Sequence, residues 1–149
     1  MKTNARTLLT AICLLIVSVA CVATLLPIAG CGTKTNSPSI VGTWTGQSTT
    51  GQNLTFIFKK DKTVVWAINS TAGSVSFDAK YNIDYKTKPV SLEIRDFKQA
   101  EVKDYIFWGV LEFDGSSRFR LSGAQHKIGE SASRPKKLGS DAILFSKVK

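Results

Sequence analysis

From Val41 onward the sequence alternates apolar and polar residues with period two, and this pattern decides what the chain can fold into. "LTFIFK" sets Leu54, Phe56 and Phe58 on one side, and "TVVWAIN" does the same for Val64, Trp66 and Ile68. The longest run, "SVSFDAKYNIDY", opposes Val75, Phe77, Ala79, Tyr81, Ile83 and Tyr85 to Ser76, Asp78, Lys80, Asn82 and Asp84. "VSLEIRD", "YIFWGVLEF", "RFRLS" and "AILFSKV" continue the pattern to the end. Successive side chains of a strand point to opposite faces, so strict alternation marks half-buried antiparallel strands. No segment shows a helical period. The breaks "KKDKT", "STAG", "KTKP" and "FDGSS" are short and turn-forming, which predicts hairpins. With "GTWTGQ" at the front the count reaches about eight strands, and a meander of eight removes its exposed edges by closing. The expected fold is all-β: an antiparallel up-and-down barrel of about eight strands over residues 41–149, with an open β-sandwich as the alternative. Gly109, inside a long strand, is expected at a bend or bulge of the barrel wall.

The same alternation selects an inward row of fifteen: Phe56, Phe58, Trp66, Ile68, Phe77, Tyr81, Ile83, Leu92, Ile94, Phe107, Leu111, Phe113, Phe119, Leu121 and Phe145. An eight-stranded barrel is only just wide enough for its own side chains. A row this rich in aromatic rings predicts a mostly filled interior. Any cavity is expected to be small and to lie where Tyr85, Tyr105, Arg118 or Arg120 reach the rim.

The N-terminal segment follows different rules. Lys2 and Arg6 precede a stretch, Thr7 to Gly30, without a charged side chain, and the small residues Ala29 and Gly30 precede Cys31. Charge, apolar run and small residues make the signal-peptide pattern. Ile28-Ala29-Gly30-Cys31 resembles the lipobox of bacterial lipoproteins. The resemblance implies cleavage after Gly30, lipid on the Cys31 sulfur, and a domain held outside the cytoplasm at a cell or outer membrane. Gly32 stands where enteric lipoproteins retained at the inner membrane carry aspartate, which leans toward the outer one. An uncleaved membrane helix over residues 8–28 is the alternative. In the lipoprotein reading Cys13 and Cys21 leave with the signal peptide. The exported domain then has no thiol for a disulfide and depends on its core. Residues 31–40 form a polar tether.

Twenty Lys and Arg face eleven Asp and Glu. Removing Lys2 and Arg6 leaves eighteen and a net charge near +7. The positive charges are scattered along the strands, with only Lys59-Lys60 and Lys136-Lys137 adjacent. They read as a solvated surface, and no nucleic-acid partner is expected outside the cytoplasm. His126 is the single histidine. It lies in the polar stretch "GAQHKIGES" and reads as a loop residue. No metal-ligand spacing, no Gly-x-Ser-x-Gly elbow and no phosphate-binding loop is present. No cofactor, no metal and no catalytic residue are expected, and the chain does not read as an enzyme.

Gly42-Thr43-Trp44 at the head of the first strand resembles the Gly-x-Trp opening of lipocalins. In order, "GTW", "YNIDYKTKP", "GVLEFDG", "SRPKKL" and "AILFSKVK" are similar to a small lipocalin-like domain family frequent in planctomycetes and related bacteria. The likeness covers residues 41–149. Leu138 departs from it where an aromatic is usual, as does Ser146-Lys147 where an aliphatic pair is usual. The resemblance implies a barrel with Trp44 plugging its closed end, and carries no activity.

Residues 122–141 read as one long basic loop, and loops of that length are often functional. Candidate ligand or partner contacts are Tyr85, Tyr105, Trp108, Arg118, Arg120, Arg134, Lys136 and Lys137. Trp108, opposite the Phe107/Leu111 row, is either exposed or covered by this loop. Three readings follow. The first is a lipid-anchored, non-enzymatic binding module for a small ligand or an envelope protein. The second is a structural or inhibitory envelope protein acting through its surface and the 122–141 loop. A hydrolase is the most distant.

Overall fold

The computed structural model describes residues 38–149. The signal segment, Cys31 and the tether up to Ser37 lie outside the described residues. Eight strands follow one another: β1 (Gly42–Gln47), β2 (Asn53–Phe58), β3 (Thr63–Ser70), β4 (Gly73–Asp84), β5 (Val90–Arg95), β6 (Tyr105–Asp114), β7 (Arg118–Lys127) and β8 (Ile143–Lys147). Each pairs antiparallel with its neighbours in sequence, and β8 returns to β1 through Trp44↔Lys147, Thr45↔Ser146 and Gly46↔Phe145. The expected up-and-down barrel is thus the observed one, and its closure rules out the open sandwich. No helix occurs among the described residues.

Both described termini share one end with the turns 59–62, 85–89 and 115–117. This terminal end is plugged. Trp44 is fully buried, its indole Nε1–H donates to the Ile40 carbonyl at 2.6 Å, and its ring meets Phe119 edge-on at 4.7 Å. Ile40 is 1% exposed, and its N–H donates to the Tyr85 hydroxyl at 3.0 Å. The polar tether therefore stops before Ile40 rather than after it, because Ile40 is an integral part of the plug.

All fifteen residues of the inward row belong to the core, ten of them buried and five partly buried. Ring contacts run almost the length of the interior: Phe119 to Phe145 at 5.1 Å, Phe145 to Phe56 at 5.3 Å, Phe56 to Trp66 at 5.2 Å, Trp66 to Phe107 at 5.4 Å. Phe97 and Val102 join the core from the β5–β6 connection, which no period-two pattern announces. Phe97 meets Phe77 edge-on at 6.2 Å.

Gly109 is not at a bulge. It pairs in unbroken register with Leu92 on one side and Gly123 on the other. The reason for glycine is the Phe107 ring, which lies across both positions. A Cβ on Gly109 would come within 2.7 Å of that ring, and one on Gly123 within 2.5 Å of both the ring and the Trp108 carbonyl oxygen.

Two expectations follow. Phe107→Ala should destabilise the barrel by about 3–5 kcal/mol, the usual cost of emptying an aromatic core position. Tyr85→Phe should cost only about 1 kcal/mol, the net worth of one hydrogen bond. Urea unfolding of both variants against wild type measures the difference. Gly123→Ala has a rigid backbone oxygen to displace, so overpacking should cost about 1–3 kcal/mol and lower the melting temperature visibly in calorimetry.

Candidate functional site

The sequence-predicted loop over 122–141 begins later than expected. β7 continues to Lys127 because β6 is ten residues long and offers a partner at every step, including Ile106↔His126 and Tyr105↔Lys127. His126 is thus a strand residue, half-buried on the outer face, with its ring 5.3 Å from Trp108. What remains is a strap over residues 128–142.

The strap is tied at both ends. The Ile128 N–H donates to the Asp104 carbonyl at 2.7 Å, and the Gly139 N–H donates to the Ser122 hydroxyl at 3.0 Å. Between these ties it crosses the outside of β5 and β6. Its presence explains two residues that alternation alone misplaces. Val110 and Glu93 point outward, yet they are only 3% and 8% exposed.

Arg134 is the centre of this contact. Its Nη2 donates to Glu93 Oε2, and its guanidinium lies over the Trp108 ring at 5.0 Å. Arg95 Nη1 approaches the other Glu93 oxygen at 3.5 Å. A buried carboxylate is costly unless paired and hydrogen-bonded, so Glu93 gives the strap a fixed docking point. Trp108 is covered rather than exposed, and its Nε1–H is buried with no hydrogen-bond partner among the described residues. Beside Arg134 the strap leaves a shallow groove of about 310 Å³, floored by Pro89, Val110 and Pro135 and flanked by Lys88 and Lys136.

The interior offers far less room. A cavity of about 70 Å³ lies toward the distal end of the barrel among Leu54, Trp66, Phe107, Leu121, Ile143 and Phe145. The Trp66 Nε1–H is buried and also makes no hydrogen bond among the described residues. The cavity is as small as expected, but it does not gather the residues expected at its rim. Tyr85 is at the terminal end and Tyr105 at the other. Arg118 pairs with Asp114 at 2.6 Å in the β6–β7 hairpin. Arg120 is exposed on the outer face, opposite Glu112 and Leu144. Of the eight candidate contacts, the structure brings together Trp108, Arg134 and Lys136 at the strap. Lys137 is exposed next along it. Glu93, the anchor of the arrangement, reads in the sequence as an ordinary polar-face residue. Among the described residues no three His, Cys, Asp or Glu side chains group as metal ligands do.

Scans against protein-family models, curated proteins and solved structures find no match. The barrel is lipocalin-like in its fold.

Arg134→Ala should leave Glu93 short of its principal partner and release the strap. A loss of about 1 kcal/mol is expected for an ion pair with one partner half in solvent. Adding Glu93→Gln should recover part of it, since the uncompensated charge is then gone. A double-mutant cycle by urea unfolding measures the coupling, and amide exchange over 128–142 should quicken in the single variant.

Proposed function

We propose that this chain is a cell-envelope lipoprotein of the small lipocalin-like family, cleaved before Cys31, anchored by lipid on that cysteine, and non-enzymatic. In this reading it works as a binding module for an envelope protein through its outer surface, with the strap and its groove as the contact. The observation that carries the choice of surface over interior is the filled barrel. Pockets for organic ligands run from about 300 Å³ upward, whereas the interior space is about 70 Å³. The strap groove, at about 310 Å³ and with an apolar floor between basic flanks, offers what the interior lacks.

The anchor rests on the sequence. One acyl chain holds a protein to a bilayer only marginally, and stable anchoring takes two signals. A diacylglyceryl group on Cys31 supplies two chains. The apolar run is then discarded, and the cysteine at its boundary takes over its anchoring role.

One observation favours a second reading. The Trp66 indole N–H has no partner among the described residues, and Trp66 lines the small cavity, so a very small molecule with one hydrogen-bond acceptor is the alternative occupant.

Native mass spectrometry of the protein extracted from its own host's membranes tests the readings together. The expected species lacks residues 1–30, carries a diacylglyceryl mass on Cys31 and co-purifies with a protein rather than a small molecule. Cys31→Ser should abolish the lipid mass and normal processing. Retention of residues 1–30 in the wild-type protein would overturn the lipoprotein reading.

A further inference from the structure

The charges that are scattered along the sequence are sorted by the fold. At the terminal end, turn 59–62 carries three lysines with Asp61, and turn 85–89 carries two lysines after Asp84. Arg118 with Asp114, then Lys147 and Lys149, complete that end: eight positive charges against three negative. The distal end is balanced. Its turns 48–52 and 71–72 carry no charge, and its connection 96–104 holds three acids and two lysines.

The three acids leave an excess of five positive charges at this end. Asp61 accepts the Thr63 N–H at 3.0 Å and hydroxyl at 2.6 Å, and these bonds hold its carboxyl below the usual carboxylate range. Asp84 accepts the Lys86 N–H at 2.8 Å, and Asp114 is taken by Arg118. The lysines of the two turns are exposed, and among the described residues none has a carboxylate within 4.0 Å. Tyr85 and Val148, 44% and 49% exposed, add apolar surface at the same end.

The chain enters the barrel at this end, and the entry point is fixed. Ile40 is buried and bonded to both Tyr85 and Trp44. The seven peptide steps from Cys31 to Pro38 span at most about 25 Å. An anchor at Cys31 therefore holds the basic end, and not the neutral one, against the bilayer. Each lysine close to an anionic bilayer strengthens the attachment roughly fivefold, within a Debye length of about 10 Å. Lysine ammonium groups are compact, hydrated point charges, suited to a fluid layer of headgroups rather than to one oriented ligand.

We infer that the terminal end of the barrel docks on anionic phospholipid headgroups, its turn lysines forming a second attachment beside the lipid anchor. The orientation rests on Cys31 being that anchor; the charge asymmetry does not. Docked this way, the barrel stands upright with its neutral distal end farthest from the membrane.

Among the described residues the core runs from Ile40 to Phe145 and the barrel closes on itself, so a chain beginning at Gly32 keeps that core and isolates the headgroup contact from the lipid. Cosedimentation uses vesicles of phosphatidylcholine with and without about one third phosphatidylglycerol. The unlipidated chain should bind only the anionic vesicles in low salt and be released when salt is raised severalfold. Reversing Lys59, Lys60 and Lys86 to Glu should weaken binding by about a hundredfold or more. Reversing Lys98, Lys103 and Lys127 changes the net charge equally and should leave most of the binding intact. Circular dichroism checks that both variants are folded, and all six positions are exposed. Equal losses from the two variants, or no preference of the wild-type chain for anionic vesicles, would overturn the proposal. So would retention by soluble polyphosphate without vesicle binding. The intact mass of the membrane-extracted protein judges the anchor separately, so a failed anchor and a failed headgroup contact are told apart.

Discussion

The β1–β8 seam is the constraint on which the rest of the structure depends. Every other strand pair forms between neighbours in sequence, but this one joins the two ends of the domain through three register pairs. A seam so short needs close contact. At Gly46 a Cβ would meet the Leu144 carbonyl oxygen at 2.7 Å and the Phe145 ring at 3.0 Å. Glycine there lets β8 approach, and the same approach carries Phe145 into the aromatic row. Lys147 lays its ammonium 5.1 Å from the Trp44 ring at the end of the seam. Without closure β1 and β8 would be free edges, open to pairing with other chains. With it, the interior is narrow enough for aromatic side chains to occupy nearly all of it.

A filled interior shifts chemistry to the outside, and the strap decides which part of the outside is distinctive. Along β5 and β6 the outward residues Glu93, Trp108 and Val110 would otherwise meet solvent. Covered, they form a small outer core in which Glu93 pairs with Arg134, with Arg95 at its edge. This pair sits at the boundary between buried and exposed, with Glu93 at 10% and Arg134 at 52% side-chain exposure. Its worth is thus closer to that of a screened contact than of a fully buried one. The carboxylate gives the strap one preferred seat, while the exposed guanidinium leaves it able to leave that seat.

Much of this fold is legible in the sequence because alternation is a strong signal wherever one face is apolar. The inward row can be read residue by residue for that reason. The reading weakens where the inward residue is not apolar. Gly123 and Gln125 continue the inward face of β7 but read as loop residues, so the pattern ends the strand early and leaves His126 outside it. It weakens again where burial comes from a distant segment. Nothing in "VSLEIRD" announces that an arginine forty-one residues later will cover Glu93. Phe97 and Val102 are apolar without period, and their place in the core depends on how the 96–104 connection folds back on β4, where the Lys98 N–H donates to the Asp78 carbonyl at 2.9 Å. The aromatic and basic candidates Tyr85, Tyr105, Arg118 and Arg120 share a composition but not a place, because chain direction assigns them to different ends and faces.

Chain direction also links the barrel's parity to its orientation. An even number of up-and-down strands returns the chain to the end where it began, so the N-terminus, the C-terminus and alternate turns share one end. The turns between β2 and β3, β4 and β5, and β6 and β7 must all lie beside the point of entry, and the remaining connections must all lie opposite. Spacing along the chain therefore conceals clustering in space. Lysines at 59–62, 86–88 and 147–149 are far apart in sequence, yet topology requires them to be neighbours of residue 40. The strap starts at the opposite end and runs down the outer wall until Lys136 lines a groove with Lys88. The groove is thus bounded by one element from each end. A partner seated in it would touch the strap, held by the Arg134–Glu93 pair, on one side and a tightly bonded turn on the other, where the Thr87 hydroxyl donates to the Asp84 carbonyl and accepts the Ser91 N–H. Two walls fixed by different elements of the fold are a physical basis for recognition on the outside of a barrel whose inside is already occupied.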